Sequence, residues 1–196
     1  MSTFLPGVEA GLKSGTYATL VEGARRDGRE YSKIWDLFAF APETTHHLSL
    51  FTQGVMRQPA SISAGMRELI AAYTSHLNAC RFCASAHAAA ASELLGDEAL
   101  VRGALRDLET SALDDKDKAL LRFVGKVTAG LPALVQPDVA TVQAAGWDDE
   151  AIYFAISACA LFNFYNRWIT ATGVPEMSSE AHRQQGKNLA RGYVRD

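Results

Sequence analysis

The chain has 196 residues, 48% of them apolar, and a formal net charge of -3, so it can bury one sizeable core with arms or tails around it, at about 150 residues per domain. No dense Lys/Arg run is present, which excludes the electrostatic footprint of a nucleic-acid or anionic-membrane binder. The N-terminus, MSTFLPGVEAGLKSGTY, lacks the basic flank and continuous apolar stretch of a secretion signal, so a reducing cytoplasmic setting is expected. With only Cys80, Cys83 and Cys159, a disulfide-stapled scaffold is excluded, and a close pair reads as catalytic or metal-binding.

Residues 1 to about 30 carry Gly7, Gly11, Gly15, Gly23 and Gly28 without a steady helical period and read as an arm whose order depends on a partner subunit. Ile34, Trp35, Leu37, Phe38 and Phe40 then form an apolar cluster, and Pro42 separates it from a second helix over roughly Glu43 to Met56. From Gly65, the residues Met66, Leu69, Ile70, Tyr73 and Leu77 recur at steps of three and four and build one apolar face, with Glu68 beside it. The alanine-rich run CRFCASAHAAAASELL predicts a helix from near Asn78 or Ala79 to a stop at Gly96.

A short helix is expected up to Leu108, followed by one over SALDDKDKALLRFVGKVTAG with acids in its first turn and Lys126 in its last, closed by Gly130 and Pro132. Pro137 to Ala145 reads as another short helix, and Asp148 caps a long one ending at Gly173. The apolar stretch Ala151 to Phe164 is interrupted by Ser157 and Asn163 and falls short of the ~20 residues of a membrane span, so a buried central helix is expected. With no alternating Val/Ile/Thr run, the predicted fold class is all-α: a first segment 1–41 (arm and first helix), a helical core 42–175, and a helical tail 176–196.

Cys80, Cys83 and His87 stand at i, i+3 and i+7, offsets that share one helical face. Cys80 falls in the predicted first turn, where unpaired N–H groups and the helix dipole favour a thiolate. His87 can accept or relay a proton from a thiol. Glu68, on the preceding antiparallel helix, can fix the His87 tautomer directly or through water.

The run E-x11-C-x2-C-x3-H from Glu68 to His87 resembles the signature of the AhpD-like branch of the carboxymuconolactone decarboxylase family. SISAGMRELIAAYTSHLNACRFCASAHAAAA resembles its helix pair and YNRWITATGVP the end of its later core helix, over roughly residues 40 to 175. The resemblance implies a compact helical fold that oligomerises and a thiol-dependent peroxidase without a cofactor, recycled by an external dithiol or thiol protein. It implies that Cys83 becomes a sulfenic acid, that Cys80 closes the disulfide and donates a proton, and that Glu68 and His87 form the relay. Phe82 stands where the best-studied branch has a histidine. A decarboxylase-like lyase and a non-enzymatic redox sensor are the alternatives.

Simpler roles stand beside these. The C-x2-C pair with His87 and Glu68 could hold zinc. Cys159 reads as a small core residue. Asn163, Asn166, Arg167 and Thr170 share one face and either line a pocket or satisfy neighbouring helix ends. His46, His47, His76 and His182 show no partner pattern.

Overall fold

Two helices built from the cysteine motif and the segment before it are the centre of the molecule. Ser63 caps the first, α5 (Ala64–Leu77), by accepting from the Met66 amide, and its apolar face buries Met66, Leu69 and Ile70. The second, α6 (Arg81–Leu95), starts at the N-cap Cys80 and stops at Gly96, whose left-handed φ of 71° ends the helix as only a residue without a Cβ does cheaply. Between them, Ala79 is held at φ 54°, the one non-glycine residue with positive φ among the described residues. That tight turn folds α6 back along α5, its amides bonding to the last carbonyls of α5: Ala79 N–H to His76 O and Cys80 N–H to Ser75 O.

The computed structural model describes residues 2–130 and 134–195, and among them eleven helices and no strand. The remaining helices are α1 (Pro6–Ala10), α2 (Thr16–Arg26), α3 (Ile34–Phe40), α4 (Pro42–Arg57), α7 (Glu98–Arg106), α8 (Asp115–Ala129), α9 (Gln136–Ala144), α10 (Asp149–Thr172) and α11 (Ser179–Arg191). Side chains of Asp97, Asp114, Asp148 and Ser178 cap α7, α8, α10 and α11, each satisfying an amide that the helix leaves unpaired. The expected closing role of Pro132 lies outside the described residues. No helix among them is long and apolar enough to cross a membrane.

Helix α10, expected to be buried throughout, is buried on one face only: Ile152, Ala155, Cys159, Phe162 and Ile169 pack against α4, α5 and α8, while Tyr153, Ile156 and Phe164 face outward. On the other side of α6 lies α11, and the two backbones approach most closely at Gly186, where a Cβ would fall 2.5 Å from Ala89 Cβ and 2.7 Å from the Ala89 carbonyl carbon.

The N-terminal residues are more structured than their glycines imply. Ala18, Val21 and Ala24 form a buried small-residue stripe on α2 that packs on α3, and Arg25 and Lys33 close over the buried Asp36 at 2.7 and 3.3 Å. The apolar cluster of α3 also turns inward: Leu37 and Phe38 are buried, Ile34 and Trp35 line a cavity, and only Phe40 is exposed. From the sequence alone, an apolar cluster of this size reads as a subunit contact, and that expectation is corrected here. Its bulk is used within the chain: Phe38 packs on Tyr17 of α2 and on Trp168 of α10.

Candidate active site

The turn at Ala79 and the start of α6 set the sulfur geometry. The helix starts at Arg81, so Cys80, expected inside the first turn, is instead the N-cap, and Cys83 is the third residue of the helix. The Cys83 thiol is the largest influence on Cys80, and together with the Cys83 amide and the Thr170 and Asn166 side chains of α10 it outweighs burial and lowers the Cys80 pKa to about 6. Cys83 moves the other way, raised well above the ordinary thiol range by holding the shared proton against Cys80 and by burial. The two thiols therefore share one proton, with the negative charge favoured on Cys80.

Polar residues of α10 brace the turn. Asn78 Nδ2 donates to Asn163 Oδ1 at 3.0 Å and to Asn166 Oδ1 at 2.9 Å, and Asn166 Nδ2 donates to Ser75 Oγ at 2.8 Å. The polar stripe therefore satisfies the α5–α6 connection and touches Cys80.

One turn beyond Cys83, His87 Nδ1 meets Glu68 Oε2 at 2.7 Å, a direct contact with no intervening water. Glu68 is fully buried. Burial pushes its pKa up, but His87, Arg57 and Tyr193 outweigh that and hold the carboxyl below its usual range. Arg57 from α4 bonds Oε1, and Tyr193 Oη donates to the same oxygen at 2.6 Å. With Glu68 a carboxylate, Nδ1 is the donor in this contact, and Nε2 is turned to the other side of the ring, where it has no protein hydrogen bond among the described residues. The imidazole edge packs on Phe162 at 4.3 Å between centroids.

Cys83 and His87 line a cavity of about 680 Å³, mouth included, walled by Phe82, Phe162 and Tyr165, by Tyr17, Ile34, Trp35 and Phe38 from the N-terminal helices, and by Leu189, Gly192, Tyr193 and Arg195 from the end of the chain. Cys80 is not among its lining residues. It lies instead on the Asn166–Thr170 side, next to a surface depression formed by Asn78, Asn166, Arg167 and Thr170.

All four residues singled out from the sequence are thereby brought together: Cys80 with Cys83, and Glu68 with His87. Both Glu68 oxygens are engaged by donors, so the zinc alternative loses its fourth ligand. Cys159 is buried away from the motif, its thiol pushed up by burial beside Thr128. His182 is buried against Glu176 Oε2 at 2.9 Å. Sequence reasoning missed Arg57 and Tyr193. Neither belongs to a spaced motif, and Tyr193 reaches its partners across 125 and 106 residues of chain.

Residues 42–106 match the model of the carboxymuconolactone decarboxylase family. The fold is similar to that of an uncharacterized peroxidase-related protein from Silicibacter sp. TM1040, with TM-score 0.74 and 25% identity over 86% of this chain and 87% of that one. A Ralstonia eutropha JMP134 protein described as an alkylhydroperoxidase AhpD core and uncharacterized peroxidase-related protein gives TM-score 0.73 at 19% identity, over 85% and 88% of the two chains. A protein of unknown function from Agrobacterium tumefaciens, provisionally assigned to antioxidant defence as AhpD, gives 0.60 at 23% identity over 70% and 92%. No curated protein matches the chain significantly. The AhpD-like, carboxymuconolactone decarboxylase family resemblance read from the motif is borne out, and so is the all-α fold.

Proposed function

From a chain with the carboxymuconolactone decarboxylase family segment at residues 42–106, we propose a thiol-dependent peroxidase in which Cys83 reduces an organic hydroperoxide and Cys80 resolves the product. The observation that carries this reading is the division of the pair: Cys83 shares an aromatic-walled cavity with His87, while Cys80 lies outside it bearing the stabilised thiolate.

In the first step His87 Nε2 takes the Cys83 proton, and the new thiolate attacks the distal peroxide oxygen. The O–O bond breaks, the alkoxide leaves with the proton from His87, and Cys83 becomes a sulfenic acid. Cys80 thiolate then attacks the Cys83 sulfur and expels hydroxide, which departs as water with a proton drawn from solvent through His87. An external dithiol, free or carried on a protein, reduces the disulfide and returns both thiols. Positions 80 and 83, at i and i+3, bring their Cβ atoms to within roughly 5–6 Å, near enough for modest adjustment to close that bond. At neutral pH Cys80 is already a thiolate, so the proton donation that the resemblance assigned to it falls to His87 instead.

Peroxide consumption with a panel of dithiols tests the reading. Wild type should turn over, Cys83→Ser should not, and Cys80→Ser should accumulate a sulfenate on Cys83 detectable by mass spectrometry after trapping. Trapping none in either protein would leave the lyase alternative. Oxidation without turnover under excess reductant would leave the sensor. His87→Ala should slow thiol oxidation near neutral pH by about 10²–10⁴-fold, with a smaller effect at high pH, where thiolate forms unaided.

A further inference from the structure

We infer that Tyr193, from the segment after α11, is a positioning residue of the relay: its hydroxyl holds Glu68 Oε1 so that Oε2 alone faces His87 and the imidazole stays a competent base. The inference rests on the proposed role of His87 as the acceptor of the Cys83 proton, and it extends the site beyond the four motif residues to the far end of the chain.

The geometry carries it. Tyr193 Oη donates to Glu68 Oε1 at 2.6 Å and its ring lies parallel to His87, 10° between planes and 6.3 Å between centroids. Arg57 completes the arrangement: its guanidinium sits 5.0 Å from the Tyr193 ring centroid, bonds Glu68, and donates to Leu189 O at 2.6 Å, tying the carboxylate to the end of α11. The seat is built from the backbone as well. Gly192 takes φ 146°, with a Cβ there only 3.0 Å from Gln53 Oε1, and the Tyr193 amide donates to that same oxygen at 2.7 Å. A ring seated merely to fill space would not need its hydroxyl on a buried carboxylate; this one donates to the oxygen that His87 does not use. Burial and the Glu68 charge keep the phenol protonated, so it is always a donor.

A second effect follows from charge. Each donor to Glu68 withdraws part of the carboxylate's hold on the His87 proton. Removing the Tyr193 hydroxyl strengthens that hold and makes His87 a poorer acceptor of the Cys83 proton at low pH. The ionisable groups around the Glu68–His87 pair are Arg57 from α4, Cys83 from α6, Tyr165 from α10, Tyr17 from α2, and Tyr193 and Arg195 from the terminal segment. Among them Arg57 and Tyr193 alone bond Glu68 directly.

The test is iodoacetamide alkylation of the reduced full-length chain across a pH series, with Cys83 and Cys80 resolved by mass spectrometry. In Tyr193→Phe, which keeps the ring, the acid limb for Cys83 should move up by about half to one pH unit while the high-pH plateau stays within about twofold of wild type. Gln53→Ala, which loosens the anchor and leaves every relay atom in place, should shift the limb the same way by less. An unmoved limb in both variants, or a uniform loss of rate at every pH, would make Tyr193 a packing residue and overturn the assignment. If Tyr193→Phe fails to fold, the Gln53→Ala limb decides alone. No peroxide enters the assay, so a chain that shows the shift yet consumes no peroxide would retain the Tyr193 role and refute the peroxidase reading.

Discussion

Glu68 is a charge in a fully buried position, tolerated because His87, Arg57 and Tyr193 all reach it. Replacing it with an uncharged isostere leaves the mostly buried Arg57 guanidinium without its counter-charge, so Glu68→Gln should destabilise the fold by about 3 kcal/mol, the lower end of what breaking a buried pair costs, because Arg57 keeps its carbonyl acceptors. Urea denaturation at neutral pH measures it. The sign with pH follows from the lowered pKa: the wild-type contribution is present above the unfolded carboxyl pKa and lost as pH falls through the lower folded one, so the variant's deficit should shrink in acid. Cys80 obeys the same rule at a different place. Its pKa of about 6, set first by the Cys83 thiol, predicts half-maximal Cys80 alkylation near that pH. In Cys83→Ala, which removes the largest cause, the midpoint should climb toward the ordinary thiol value of 9.0. The catalytic candidates were legible in the sequence because E-x11-C-x2-C-x3-H is local. Arg57 and Tyr193 were not, since an arginine at a helix end and a tyrosine near a chain end carry no spacing signal until packing brings them to Glu68.

At the scale of elements, the site is only as accurate as two approaches of backbone. The first is the turn at Ala79, where an L-residue at φ 54° stores strain of order 1 kcal/mol. Ala79→Gly relieves it and should stabilise the protein by about 0.5–1 kcal/mol, measured by the urea midpoint, with the Cys80 alkylation midpoint unmoved if the turn geometry is kept. The second is the contact of α11 with α6 at Gly186. There the obstructing atoms include the backbone of Ala89 and Ala90, which cannot swing aside as a side-chain tip would, so Gly186→Ala should cost about 1–3 kcal/mol and displace the helix that delivers Tyr193. Helix boundaries were legible where capping residues mark them, as at Asp148 and Gly96. The register of α11 on α6 was not, because a glycine inside a charged amphipathic helix reads as a weak point until its neighbour is known.

For the whole molecule, the N-terminal helices change the expectation about assembly. Truncating residues 1–41 would remove Tyr17, Ile34, Trp35 and Phe38 from the cavity wall, so such a deletion reports on the site and not on subunit contacts alone. The sequence misled here because glycine count and apolar clustering say how much surface needs cover and not which surface covers it. Phe4, Leu5 and Phe40 of residues 1–41 are exposed, but an aligned run of exposed apolar residues lies elsewhere. On α10, Tyr153, Ile156 and Phe164 are 65%, 38% and 49% exposed and, with Ala160 between them, follow one another at steps of three and four along one outward stripe, the arrangement that subunit contacts take in soluble helical proteins. Light scattering at micromolar concentration should therefore report more than one subunit, as the family resemblance also implies. Tyr153→Glu with Phe164→Glu should lower the apparent mass while leaving the Cys80 alkylation profile intact, since neither side chain is among the groups that set the Cys80 pKa. A monomeric wild type, folded and stable at that concentration, would remove the expectation, and a double variant that keeps the parental mass would move the interface away from α10.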